Sequence, residues 1–492
     1  MSNPNSAPVK KKSVFRPNGI SGFAVAAGIF LIEAILVALL LVADILPLKY
    51  LIAMIGIMIL IDFGLLAMLG KGGNVKLLGM VISLVVICVF TLGGFYVTLT
   101  NSAFAKISKG WLQVERYYVI AAKGGSYDKL EDIKGKEVYT IKGNSKMYAE
   151  AKGKLISKAD VSYKEVGDCI EAGNKLVDEN GQTYDNLIFV SNGFYEMICE
   201  EIDGFEDKTK ILHTITVKVK ENNDKTDIDV TKESFNLYIT GIDNFGDIEQ
   251  TGRSDVNMIV SVNPKTRNIL LTSIPRDSYV VLHSFGQYDK LTHSGIYGVD
   301  ETLSTVEDWM GIDVHYYCRV DFSMLRRLVN AVDGIDVYSK YEFDSDLKPF
   351  HYKKGWNHLN GDEALYFARE RHAFPEDKQD QTRIRNQQRV MKALINKVTS
   401  SKVILMHYGD ILEAIEGTMQ TSLSSEDISA LVKMQLNDMS EWNIKTQAID
   451  GEGSEQGTMS MGMGRMLYVF IPDEKSVADA SRNINKVLYP SN

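Results

Sequence analysis

Five arginines and two aspartates, gathered in two stretches of the chain, are the residues whose types and spacing could do chemistry. Phe235, Leu237 and Ile239 alternate with polar residues and read as a strand that ends at Gly241-Ile242-Asp243. This puts Asp243 at a strand terminus, a usual position for a site residue in an α/β domain. Gly252-Arg253-Ser254-Asp255 follows, then Val256–Val262, a turn at Asn263-Pro264-Lys265-Thr266, and Asn268–Ile274. That pattern is an antiparallel hairpin with a four- or five-residue loop. If Val262 faces Arg267 or Asn268, Asp255 faces Ser273 to Pro275, and Arg276 lies beside Arg253 and Asp255 at the hairpin mouth. Hard oxygen ligands in low number suit magnesium held together with phosphates. Guanidinium forks suit the phosphate oxygens themselves. The plainer alternative is an Asp–Arg salt bridge that stiffens a hairpin.

The second stretch starts at Gly355–Gly361, a turn-rich lead into a helix near Asp362–Phe367, followed by Ala368-Arg369-Glu370-Arg371. Arginines two apart share a side on extended backbone. Further on, Ile384, Met391, Leu394, Ile395 and Val398 mark another helix. Its first turn carries Arg383, with Gln387 one turn later on the same face, near a helix N-terminus that favours anions. Arg385 lies off that face and reads as solvated. Taken singly, Arg371 or Arg383 is most simply a surface arginine.

These side chains need a scaffold, and 492 residues allow two globular cores plus a membrane region. Three apolar runs open the chain, Ile20–Val42, Tyr50–Leu69 and Leu77–Leu99, each long enough to cross about 30 Å of hydrocarbon. Lys10, Lys11, Lys12 and Arg16 precede the first run, and Lys71 and Lys76 separate the second and third. The positive-inside rule then puts residues 1–19 and the second loop in the cytoplasm, and everything after about Thr100 outside. Glu33 and Asp62 lie within the runs, where a carboxylate is costly unless protonated or paired. A net charge of -9 leaves no bulk footprint for nucleic acid. The four cysteines show no C-x-x-C pair or zinc spacing, although Cys169 and Cys199 could pair. Residues 103–222 read as a small α/β accessory domain, a spacer or docking module. Strands are expected at Tyr117–Ala121, Glu137–Tyr139 and Asn186–Val190, and helices at Tyr127–Ile133 and Val166–Asp178. The polar Glu221–Thr226 is a linker to a second domain, residues 230–492.

Here the chain resembles the LytR–CpsA–Psr family. The resemblance is carried by Gly241-Ile242-Asp243, Gly252-Arg253-Ser254-Asp255, Ser273-Ile274-Pro275-Arg276-Asp277, Leu359-Asn360-Gly361 through Arg369-Glu370-Arg371, and Arg383 to Gln388. It runs from about Phe235 to Thr399, and three spans with an accessory domain resemble the capsule-associated branch. The resemblance implies an α-β-α sandwich with an apolar groove for a polyprenyl tail and an arginine-lined mouth for pyrophosphate. By position, Asp243 and Asp255 would handle Mg2+, with Mn2+ as the alternative. Arg253, Arg276, Lys290, Arg369, Arg371, Arg383 and Gln387 would bind or polarise the phosphates. Asn386 stands where many members have a further arginine. The implied reaction transfers a glycopolymer (capsular polysaccharide or teichoic-acid-like) from a polyprenyl-pyrophosphate carrier to peptidoglycan, outside a multi-pass membrane anchor. Capsule-assembly proteins would be further partners. Asp243 and Asp277 are the candidates for taking the acceptor's proton. The helices Leu303–Met310, Met324–Val332 and Val390–Val398 are candidate groove walls.

Two readings of other classes stand beside it: a lipid-pyrophosphate-binding regulator without turnover, and a lipid pyrophosphate hydrolase. Asp344-Ser345-Asp346 mimics the D-x-D of glycosyltransferases but has no nucleotide-binding βαβ unit around it. No H-E-x-x-H and no nucleophile elbow occur. Thr458–Met466 reads as a flexible loop.

Overall fold

The spans are helices because their apolar runs satisfy every backbone group internally, as hydrocarbon requires. They are α1 (Gly19–Ala43), α2 (Leu48–Leu69) and α3 (Gly73–Ile107), and the last continues past the expected Leu99. All three are long and apolar enough to cross a membrane. Glu33 on α1 and Asp62 on α2 are both buried. The helix Ser425–Asp438 groups with these spans in one unit. There Lys433 pairs with Asp44 at 2.6 Å, and Lys49 donates to the Asn437 carbonyl. This computed structural model describes residues 19–108, 111–142, 146–221, 228–242, 252–371, 373–374 and 379–490. Asp243 therefore lies outside the described residues.

The second unit holds two large sheets and, among the described residues, four two-stranded ones. The first is built from β1 (Trp111–Ala122), β2 (Glu137–Ile141), α4 (Lys146–Ala159), β3 (Ser162–Val166), α5 (Cys169–Asn174), β4 (Leu187–Ser191), α6 (Asn192–Glu201) and β5 (Thr209–Glu221), with strand order β3-β2-β4-β1-β5. The expected strands fall in β1, β2 and β4. The expected helix Val166–Asp178 shrinks to α5, because Val166 completes the parallel pairing of β3 with β2. Tyr127–Ile133 keeps only a 3-10 turn at Leu130–Ile133. Helix α4 was not expected, yet Met147, Tyr148, Ala151, Leu155 and Ala159 are buried along it at helical spacing. Cys169 and Cys199 are free thiols, and the Sγ of Cys169 lies 3.4 Å from the Met461 Sδ.

The second sheet has six strands. Their order is Met419–Thr421, Tyr316–Asp321, β6 (Phe235–Ile242), β7 (Val256–Asn263), β8 (Asn268–Ile274) and Asn443–Ala448. Strand alternation sends Tyr238, Ile259, Leu270 and Ile274 to one face, where the helices Val299–Met310 and Glu474–Leu488 pack. Ser273 points the other way and accepts from Gln388 Nε2 at 3.1 Å, which places the helix Gln379–Val398 over the opposite face. The helices Phe322–Ala331 and Gly361–Arg369 share a core with it. Of the three candidate groove walls, Leu303–Met310 thus belongs to one layer, and Met324–Val332 and Val390–Val398 to the other.

The expected loop Thr458–Met466 is instead the tip of a hairpin, Gly451–Thr458 paired with Gly462–Pro472. Gly457 lets the partner backbone at Met463 approach closely, and Gly462 turns at φ +96.

Candidate functional site

The hairpin register decides which side chains meet. Asn263 pairs with Asn268 and Val262 with Ile269, because the loop holds four residues, Pro264 to Arg267, with Arg267 at φ +54. That is one step from the expected pairing. Carried two residues past the strands, it sets Asp255 opposite Arg276 rather than opposite Ser273 to Pro275. The contact is made: Arg276 Nη1 lies 2.7 Å from Asp255 Oδ1. Arg276 Nε is 3.4 Å from Asp277 Oδ2, and Lys290 Nζ is 3.4 Å from Asp277 Oδ1. Two carboxylates and two cations thus alternate in a chain across the strand ends.

Backbone contacts lock the loop before β7. Asp255 N donates to the Gly241 carbonyl at 2.9 Å and Ser254 N to the Thr292 carbonyl at 3.2 Å. Buried Ser254 also hydrogen-bonds through its hydroxyl to Thr240 and Asn257. A Cβ on Gly295 would stand 2.6 Å from the Gly252 carbonyl oxygen, so only glycine lets the two segments meet. Burial works against the charge of Arg253, but Glu200, Asp255 and Glu196 outweigh it and raise the guanidinium above its ordinary range. Burial likewise opposes the charge of Arg276, and Asp277 and Asp255 overcome it.

Helix Gln379–Val398 brings the second stretch to the first. Arg276, Asp277 and Arg383 line one pocket of about 30 Å³ together with Pro275, Ile384 and Arg385. The helix begins three residues before the expected Thr382, so Arg383 sits in its second turn rather than its first. The dipole at the helix end is weak there, and Arg383 acts through its own charge. Gln387 shares the half-buried face of Arg383, while Arg385 is exposed as expected. Asn386 is buried; it donates to the Phe367 carbonyl and accepts from Arg389 at 2.8 Å, so it packs helices together.

Arg369 ends the helix Gly361–Arg369, with its guanidinium 4.7 Å from the centre of the Phe322 ring. Between Arg369 and half-buried Arg371 lies Glu370, fully buried. It accepts from the Ser345 hydroxyl at 2.6 Å and from the amides of Asp346, Arg371 and Ala373. Ser345 and Asp346 of the D-x-D segment are therefore clamped onto Glu370, while Asp344 ends the short strand Phe343–Asp344.

Three supporting residues escaped sequence reasoning. Glu370 is one, and Gln388, which ties the Arg383 helix to β8, is another. The third is Asp289, wholly buried. Its Oδ1 accepts from Lys290 N and contacts His293 Nδ1 at 2.6 Å, and its Oδ2 accepts from Ser460 N and Oγ. It anchors the turn that aims Lys290. The available signal was Asp289 beside Lys290 in an otherwise polar strand, but Ser460 is distant in sequence.

Known proteins match about half of this chain. The LytR_cpsA_psr family model matches residues 201–486. The polyisoprenyl-teichoic acid–peptidoglycan teichoic acid transferase TagU of Bacillus mycoides is 32% identical over 270 residues, covering 54% of this chain and 84% of the relative. TagU of Enterococcus faecalis is 32% identical over 250 residues, covering 50% and 80%. The crystal structure of B. subtilis TagV aligns with 30% identity and a TM-score of 0.44, over 53% of this chain and 99% of that one.

Proposed function

The chain belongs to the LytR_cpsA_psr family, and from that premise we propose that it moves a glycopolymer with its linking phosphate from a polyprenyl-pyrophosphate carrier to peptidoglycan, on the outer side of the membrane. The polymer is of the teichoic-acid or capsular class, the former being what the TagU relatives are named for. One observation carries the reading: Arg276 and Asp277, the middle of the Asp255–Arg276–Asp277–Lys290 chain, line one pocket with Arg383. A structural salt bridge needs one cation per carboxylate. A mouth that also recruits a guanidinium from a separate helix suits an incoming polyanion.

In this reaction an acceptor hydroxyl oxygen attacks the phosphorus next to the sugar. The new phosphodiester forms as the phosphoanhydride breaks, and polyprenyl monophosphate leaves with the bonding electrons. The hydroxyl proton passes to a carboxylate, for which Asp277 is the described candidate. Charge builds on phosphoryl oxygens, and fixed cations stabilise it without reorganising. Arg276, Lys290, Arg253 and Arg383 would serve there, with Arg369, Arg371 and Gln387 as the family's further phosphate contacts.

Among the described residues no group of three or more His, Cys, Asp and Glu side chains gathers to hold a metal. Few protein donors suit magnesium, which keeps most of its ligands as water and phosphate oxygens. Asp255 fits that part, with Asp243 its partner by family position. Bound there, magnesium would neutralise charge on the phosphoryl oxygens.

The polyprenyl tail needs apolar surface beside this mouth. Leu237 and Ile239, in the middle of the central strand β6, are only partly buried on the face opposite Tyr238, where a closed core would bury them. The Lys433–Asp44 pair sets the loop between α1 and α2 on the same side as a helix of the later chain, as three spans require in either orientation; the outward one is supported by the basic residues before α1 and between α2 and α3.

The test is a purified full-length assay with labelled lipid-linked glycan, run with and without peptidoglycan and magnesium. Transfer predicts label on peptidoglycan and release of polyprenyl monophosphate. Free phosphorylated glycan would mark a hydrolase, and binding without turnover would mark a regulator; either result would overturn the proposal.

A further inference from the structure

Among the described residues, Glu200 joins the accessory sheet to the phosphate site by an ion pair. Glu200, on α6 and just outside the family-matched segment, grips Arg253 with both oxygens, Oε2 at 2.7 Å from Nη1 and Oε1 at 2.5 Å from Nη2. This is the fork geometry in which a guanidinium also takes a phosphate. We propose that Glu200 is a specificity residue, an internal anion on Arg253 that a diphosphate displaces and a monophosphate does not. The inference rests on the reading that the site handles polyprenyl pyrophosphate.

Glu200 is placed there against local preference. It lies in the last turn of α6, at the negative end of the helix dipole, and one turn after Glu196, a like charge on the same face. Burial raises the carboxyl of Glu196 above its ordinary range despite a hydrogen bond to Asn192 and the nearby Arg253. Arg253 is the group that compensates this acidic face. The accessory sheet is also well seated beside the site, since Phe194 of α6 packs edge-on against Tyr297 at 5.7 Å, and Glu201 pairs with Arg465.

The Glu200 carboxylate is about half exposed. An ion pair in that setting is worth only about two- to five-fold in an equilibrium constant, so a strong ligand can replace it. A diphosphate can hold Arg276 with one phosphoryl group and give the other to Arg253. A monophosphate at Arg276 leaves Glu200 in place and meets its negative charge. Transfer turns the first ligand into the second: the phosphoanhydride breaks, the glycan-bearing phosphate joins the acceptor, and polyprenyl monophosphate remains. The return of Glu200 to Arg253 then favours product release.

The experiment uses full-length protein in phospholipid vesicles and compares KM for lipid-linked diphosphate glycan with Ki for polyprenyl monophosphate. In Glu200→Gln, KM falls about two- to five-fold, because the diphosphate no longer has to displace the pair, and Ki, for a ligand that leaves Glu200 in place, falls less, so the Ki/KM ratio rises. Glu200→Asp keeps the charge and retains the wild-type ratio. In an Arg253→Lys background, Glu200→Gln has no further effect, because the fork it competes for is gone. An unchanged Ki/KM ratio in Glu200→Gln, or a fall in kcat with KM unmoved, overturns the proposal; the latter would make Glu200 a residue that positions Arg253. If wild-type protein transfers nothing, the functional reading fails. Equilibrium binding of polyprenyl mono- and diphosphate to the same variants then decides the role of Glu200 separately.

Discussion

In the first sheet, Glu115 lies buried on β1 and accepts the Tyr117 hydroxyl at 2.5 Å; in the second, Asp255, Arg276, Asp277 and Lys290 form an ion chain left partly open at the strand ends. Both arrangements put carboxylates where water is scarce. In the first, the acid is closed off by neighbours of its own sheet, so its cost falls on stability alone. In the second, the partners are cations in reach of solvent, so a ligand can exchange with them. A buried acid with neutral hydrogen-bond donors is thus architecture, and an open alternation of charges is a site. Glu200 is where the first sheet takes part in the second arrangement.

The contrast is broken most severely by Arg276→Ala. Transfer should fall by about a thousand-fold or more, since removing a charge-stabilising donor from a preorganised site costs on that order, while membrane insertion persists. Retained transfer would reduce the chain of charges to ordinary architecture. Next in size is Gln388→Ala, which leaves Ser273 Oγ and the Gln447 carbonyl without this donor. It should cost about 1–3 kcal/mol of stability and lower transfer by shifting Arg383, both readable from melting curves and initial rates.

For the first sheet the expected effect is on pH dependence alone. Burial pushes Glu115 up to about 7 from an ordinary 4.5, against hydrogen bonds from Tyr117 and Ser191. An acid whose folded pKa is raised contributes stability fully below its unfolded value and loses it as pH rises through the folded one. The melting temperature should therefore fall between pH 4.5 and 7 by an increment that Glu115→Gln removes. A slope identical in both proteins would contradict this. Smallest is Gly193→Ala, whose new Cβ would meet Ile296 at 2.9 Å. It should destabilise by about 1–3 kcal/mol with little change in kcat, as melting and steady-state kinetics can check.

Much of this was legible in the sequence because it is local. Apolar runs marked the spans, alternation marked β6 to β8, and i,i+4 spacing put Arg383 and Gln387 on one face. What failed turned on single-residue counts. The hairpin register lies one step from the expected one, with Val262 facing Ile269 rather than Asn268, although the four-residue loop and the meeting of Arg276 with Asp255 were legible. The helix start moved from Thr382 to Gln379 and took Arg383 out of the first turn. The contacts Glu200–Arg253 and Asp289–Ser460 span 53 and 171 residues, and no periodicity reports pairings at that separation.

The central claim, that the β7–β8 hairpin and the helix Gln379–Val398 share one ligand, is tested most directly by a structure of the full chain with polyprenyl pyrophosphate bound. The account predicts one diphosphate within hydrogen-bonding distance of both Arg276 and Arg383. A diphosphate held by Arg369 and Arg371 alone, with Arg276 still closed on Asp255 and Asp277, would contradict it.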